Sequence, residues 1–163
     1  MGTRSITVVK DKSNKKIIEM YAQYDGYPEG LGDELARFIE SKEMVNGIGG
    51  DNRVFNGINC FAGQLIAHLK GEEPGGFYLH APTHDVENKR FYSEKYFAEY
   101  YYEIDADLNI KCWDTYKNKI VSIPFLIESH QNLDDPLRHN ISGSMNQPSP
   151  MQKQAFEQEE KKD

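Results

Sequence analysis

The sequence predicts an α+β protein: a mostly antiparallel sheet with two helices packed on one face, followed by a flexible polar tail. Three observations carry that prediction. Segments with strand-like alternation open the chain and return after its middle, and two amphipathic helical segments stand between them. Beyond residue 132 the composition changes to one that cannot pack a core.

Ser5-Ile6-Thr7-Val8-Val9 is rich in β-branched residues and runs into the polar cluster Lys10 to Lys15, which reads as a turn. Lys16 to Tyr24 returns as a second strand, with Ile18, Met20 and Ala22 on one face and Ile17, Glu19, Tyr21 and Gln23 on the other. A hairpin joins the two. Asp25-Gly26-Tyr27-Pro28-Glu29-Gly30 is a dense turn signal, after which Leu31, Leu35, Phe38 and Ile39 recur at helical spacing as far as Lys42. Gly47 to Asn52 breaks the chain. A second helix runs from Asn59 to Lys70, burying Phe61, Leu65, Ile66 and Leu69, and Gly71 is placed to stop it.

Gly75-Gly76 precedes a short strand, Phe77 to His80, that Pro82 ends, and the polar stretch from Thr83 to Glu94 reads as a loop. Tyr96 to Ile104 has the strongest strand pattern. Ala98, Tyr100, Tyr102 and Ile104 alternate with Phe97, Glu99, Tyr101 and Glu103. Asp105-Ala106-Asp107 turns the chain into Leu108 to Trp113, and Lys119 to Ile123 adds a short strand before Pro124. Residues 1–132 are expected to form one domain and residues 133–163 the tail, whose last stretch, Met151 to Lys162, has only transient helical character.

The chain of 163 residues is long enough to bury a core without disulfides or a metal. Its 26 acidic and 19 basic residues give a net charge of −7, with no basic surplus to displace counterions from phosphates, so direct nucleic-acid binding is not expected. Only five basic residues are arginines, the side chain best shaped to grip phosphate or carboxylate, which draws interest to Arg4. Cys60 and Cys112 lack CxxC spacing and read as reduced, buried thiols. No apolar run approaches membrane-spanning length and no signal-peptide core is present, so a cytoplasmic location and no membrane association are expected. Asn140-Ile141-Ser142 fits a glycosylation acceptor, which without a secretion signal carries no weight.

Gly2-Thr3-Arg4-Ser5 opens the first strand, and Tyr24-Asp25-Gly26-Tyr27-Pro28-Glu29-Gly30 leads through Gly32 into a helix. Together with the later Tyr100-Tyr101-Tyr102-Glu103-Ile104-Asp105 strand, they give the folded portion a pattern that resembles a widespread set of small phage and prophage proteins. The resemblance excludes the tail and transfers context without catalytic residues. It implies an accessory phage gene acting on host machinery or host defence, in the host cell cytoplasm.

Three places offer chemistry. The Asp25 to Asp33 junction presents backbone N–H groups at a helix start, an arrangement that holds anions. Asp25, Glu29 and Asp33 would repel phosphate, and the spacing matches neither a Walker loop nor a dinucleotide fingerprint. The plainer reading is a tight corner, with Tyr24 and Tyr27 framing a shallow aromatic pocket beside it. Arg4 either faces that loop as part of a site for a nucleotide-like ligand or pairs with Asp25 or Glu29 to lock it. His80, with His84 and Asp85 beyond Pro82, is the nearest approach to a metal or catalytic set, but no third ligand has suitable spacing, so no metal is expected. His80 reads more simply as a strand residue with a satisfied ring. Finally, Phe97 and Tyr101 form either an open aromatic contact face or part of a core beneath a further layer.

The leading expectation is a non-catalytic binding protein without a cofactor, whose ligand-binding residues are Arg4, Tyr24, Asp25, Tyr27, Glu29 and His80 and whose protein-interface residues are Phe97 and Tyr101. The expected partner is a host protein or a nucleotide-like small molecule. The alternatives are a small hydrolase acting on a phosphoester or nucleotide through His80, His84, Asp85 or Asp25, and a structural protein that forms homo-oligomers through its exposed strand face.

Overall fold

The structure, a computed structural model, describes residues 2–47 and 53–133. The expected tail lies outside the described residues except for Leu133, and so do the glycosylation motif and most of the Gly47 to Asn52 break.

A six-stranded sheet forms the centre. Strand β1 (Ser5–Lys10) pairs antiparallel with β2 (Lys16–Ala22) and parallel with β6 (Tyr100–Ile104). On one side β2 pairs with β5 (Phe77–His80). On the other, β6 pairs with β7 (Ile110–Asp114) and β7 with β8 (Lys119–Val121). The order is β5-β2-β1-β6-β7-β8, with the β1–β6 pair as its single parallel ladder, so the α+β, mostly antiparallel prediction holds. All of β1 is buried, as expected of a strand covered on both faces.

Helix α1 (Asp33–Glu40) and helix α2 (Gly57–Lys70) cover the first face. Their Leu35, Phe38, Ile39, Phe61 and Leu65 pack with Val9, Ala22, Tyr102 and Ile104. Between the two helices lie β3 (Glu43–Val45) and β4 (Val54–Asn56), a small parallel pair that the sequence pattern did not indicate.

The second face carries a layer built from an element that the sequence pattern did not indicate. Helix α3 (Arg90–Tyr96) begins within the Thr83 to Glu94 segment read as a loop, runs into the start of the predicted strand, and sets Tyr92 against Ile6, Val8, Ala98 and Tyr101. Asn88 starts it by accepting the Arg90 N–H on Oδ1, and Phe97 stops it in the left-handed conformation, at φ 57°. The strand predicted from Tyr96 therefore begins only at Tyr100. Another helix, α4 (Pro124–Leu133), packs against α1. Pro124 opens it rather than ending the preceding segment, and the Phe125 N–H donates to Asp33 Oδ1 at 2.8 Å.

The β1–β2 hairpin also departs from simple alternation. A register shift puts Lys10 opposite Lys16 and Val9 opposite Ile18, leaving Ile17 as the extra residue. Ile17 thus joins Ile18 against the first core, and Lys16 reaches the second face beside Tyr92. No described helix is long and apolar enough to cross a membrane.

Candidate functional site

The junction between β2 and α1 is built as a fixed corner. Asp25 takes φ 55°, a left-handed conformation that Asp tolerates better than most residues. The Gly26 N–H donates to Thr3 O at 2.9 Å and its carbonyl accepts the buried Tyr102 hydroxyl at 2.7 Å. The loop closes on itself through Leu31 N–H to Asp25 O and Gly30 N–H to Tyr27 O, both 2.9 Å. Pro28 is buried and opens a wide helical turn, Pro28–Gly32, that leads directly into α1. The backbone is thereby held from several directions, leaving the Tyr24 and Tyr27 rings 56% and 38% exposed.

Those rings line a cleft of about 410 Å³, together with Asp25, Gly30 and Leu31 from the same loop. This volume lies toward the lower end of the roughly 300–1,000 Å³ typical of small-molecule sites. The other wall comes from Glu34 in the first turn of α1, His68 and Leu69 at the end of α2, and Gly76 and Phe77 at the start of β5. His68 stacks on Phe38 with ring centroids 4.6 Å apart and meets Glu34 Oε1 through Nε2. Asp25 has no side-chain hydrogen-bond or ion-pair partner among the described residues. No lysine or arginine is among the lining residues. The cleft is therefore aromatic, acidic and rigidly supported.

Three of the six expected ligand-binding residues, Tyr24, Asp25 and Tyr27, meet in this cleft. Arg4 and Glu29 are not among its lining residues. Arg4 makes neither of the expected pairs with Asp25 or Glu29, and its carbonyl instead accepts the Glu99 N–H at 2.8 Å. His80 belongs to the opposite sheet face, opposite Glu19 in the β2–β5 ladder, so Arg4, Tyr27 and His80 do not converge. The acidic wall residue Glu34 and its partner His68 were missed because they come from two helices whose approach is set only by packing.

Phe97 and Tyr101 also separate. Phe97 is 67% exposed at the end of α3, whereas Tyr101 is fully buried under that helix, stacked on Tyr92 at 4.6 Å. Of the two readings of this strand face, the covered one holds for Tyr101, which the added layer makes core, while Phe97 stays exposed, so the two do not form one interface. Cys112 is buried but Cys60 is only half-buried, and both are free thiols.

Under that added layer lies a charge network. Lys10 Nζ is 2.9 Å from Asp85 Oδ2 and 3.0 Å from Glu103 Oε1. Lys16 Nζ donates to the Tyr92 hydroxyl at 2.6 Å and to Glu19 Oε1 at 3.2 Å. Glu19 also accepts the Thr83 N–H and hydroxyl, while its Oε2 lies 3.1 Å from His80 Nδ1. His80 stacks on Tyr96 at 4.9 Å. Lys89 Nζ donates to Val86 O and lies over the Tyr101 and Trp113 rings, at 4.7 and 5.0 Å from their centroids.

Burial alone would lower Lys10, but its hydrogen bonds to Asp85 and Glu103 prevail and hold it above its ordinary value. Burial would raise Asp85, and the Lys10 ammonium overrides it, holding the carboxyl below its usual range. Lys89 is pulled down by burial, against the partial opposition of Glu103 and Asp85. Burial also pushes the Tyr101 and Tyr102 phenols far upward, so both remain protonated hydrogen-bond donors. Each ammonium in the network has an acceptor among the described residues, so the arrangement acts as a polar clamp between sheet and outer layer.

Among the described residues no group of three or more His, Cys, Asp or Glu side chains is placed to hold a metal. No known protein family, curated protein or solved structure matches this chain.

Proposed function

We propose that this is a non-catalytic binding protein that engages its partner through the cleft beside the Tyr24–Leu31 loop. The observation that carries the reading is the pairing of exposed tyrosine rings with a backbone held by Gly26 and Tyr102. A rigid aromatic surface offers contact area at little entropic cost, which is what recognition needs. The resemblance of the loop to small phage proteins supports a host component, including one used in defence, as the partner.

The test compares the full chain with a Tyr24→Ala/Tyr27→Ala variant as baits in bacterial host lysate, followed by mass spectrometry of recovered proteins and small molecules. The expected result is a stoichiometric partner or ligand captured by the native chain and lost from the variant. Equal recovery by both, or none by either, would overturn the reading.

A further inference from the structure

We propose that the cleft accepts a positively charged side chain, an arginine or lysine displayed by a protein partner; this rests on the cleft being the binding site. The argument is one of charge and shape. Two carboxylate-bearing residues, Asp25 and Glu34, line the cleft from different elements, and no lysine or arginine is among its described lining residues. Among the described residues Asp25 has no partner for its carboxylate, so its acceptor capacity is open to solvent or a ligand. Glu34 meets His68 through Oε1, which leaves Oε2 for another donor. The exposed Tyr24 and Tyr27 rings flank Asp25 in sequence and share its cleft, so a cation there would meet aromatic faces as well as carboxylates. Leu69 and Phe77 supply apolar wall for the methylene stem of such a side chain.

The same features disfavour a nucleotide-like ligand. A phosphate entering this cleft would approach two carboxylates with no lysine or arginine among the described lining residues to offset them. Three of the loop's N–H groups, those of Gly26, Gly30 and Leu31, are already committed to backbone carbonyls. An anion would therefore find no lysine or arginine among the described lining residues and fewer backbone donors than a phosphate site presents. A guanidinium, with its fork of donors, matches carboxylates presented from two walls.

The experiment uses amide NMR on the isotope-labelled full chain with three probes: a capped Gly-Arg-Gly peptide, a capped Gly-Glu-Gly peptide and adenosine monophosphate. The arginine peptide is expected to shift the amides of Asp25, Gly30, Glu34 and Phe77 in a saturable way, while the other two leave them unmoved. Asp25→Asn and Glu34→Gln should each weaken it about threefold, and together about tenfold, in line with partly exposed ion pairs. If adenosine monophosphate shifts these amides and the arginine peptide does not, the cleft stands as a binding site and the cation assignment fails. Undiminished arginine binding by the double variant sinks the assignment as well. Silence from all three probes also overturns it, while partner capture with the tyrosine variant still judges the cleft independently.

Discussion

The Tyr102 hydroxyl donates a 2.7 Å hydrogen bond to the Gly26 carbonyl, linking the first core directly to the loop that frames the cleft. Burial pushes that phenol upward, so it is protonated and available as a donor at neutral pH. Tyr102→Phe preserves the ring and deletes the donor. Because the bond is buried, the expected loss is about 1–2 kcal/mol in urea unfolding. Hydrogen exchange should quicken selectively at Gly30 and Leu31, whose N–H groups close the loop. Uniform exchange without a local change would show that the loop holds its form without this bond.

Gly26 is required for space rather than for an unusual dihedral. A methyl group there would stand 2.6 Å from Ser5 Oγ and 2.7 Å from Ser5 Cβ, on the fully buried central strand. Gly26→Ala is therefore expected to destabilise by about 1–3 kcal/mol, as overpacking does. Adding Ser5→Gly removes both clashing atoms and should recover part of the loss in thermal melts. Equal stability of Gly26→Ala and the native chain would refute the close packing.

The parts of the fold legible in sequence are those with local causes. Alternation marked β1 and β2, helical spacing marked α1 and α2, and the Gly-Pro-rich run from Asp25 to Gly30 marked the corner with its Tyr24 and Tyr27 rings. Helix α3 escaped because its seven residues show too little periodicity to reveal a stripe, and Tyr92 becomes core only because the sheet lies beneath it. Helix α4 escaped because Pro124, which has no N–H to donate, looks like the end of the preceding strand; at the first position of a helix that donor is not needed, and the next N–H, that of Phe125, is capped by distant Asp33. Lys10 and Lys16 look like hairpin-end charges. Their burial follows from a register shift and an overlying segment, which tertiary structure alone supplies. Part of the cleft was hidden for the same reason, since His68, Leu69 and Phe77 are far from the loop in sequence and only packing brings them to it.

The two thiols should report the difference between a half-buried and a buried position. Burial pushes the Cys112 thiol up to about 12, so almost none of it is thiolate near neutral pH. Cys60 on α2 is partly accessible, its sulfur lying 3.2 Å from Gln64 Nε2. Iodoacetamide at pH 8 is expected to label Cys60 alone in the native protein and both residues after unfolding, as read by peptide mass spectrometry. Native labelling of Cys112 at a comparable rate would contradict its place in the core.

The Lys10–Asp85 pair sets a pH window. Asp85 lies below its ordinary value of 3.8 in the folded protein, so its contribution is present above 3.8 and is lost as pH falls through the lower folded value. Lys10 lies above its ordinary value of 10.5, so its contribution is present below 10.5 and is lost as pH rises through the higher folded value. The stability difference between the native chain and Asp85→Asn should therefore be flat through neutral pH and shrink at both extremes. Urea unfolding across that range checks it. Because Asp85 is half exposed, added salt should also reduce the difference. A gap that widens toward acid would reverse the sign and dismiss the pairing.

Glu19 is fully buried and its Oε1 is shared by Lys16 and Thr83, so removing one charge leaves the other stranded. Glu19→Leu is expected to cost about 3–5 kcal/mol, the penalty of an uncompensated buried ammonium. Lys16→Met should cost a similar amount by orphaning the carboxylate. Combining the two removes both charges together, which in comparable buried pairs is close to neutral. Here the double variant should still fall about 1–2 kcal/mol short of the native chain, because the Tyr92 hydroxyl and the Thr83 N–H lose their partners. The double-mutant cycle measured by urea unfolding decides the point. Strong positive coupling identifies the clamp as one unit joining β2 to the layer above it, whereas simply additive losses would mean that Lys16 and Glu19 are stabilised separately and that the outer layer does not depend on their pairing.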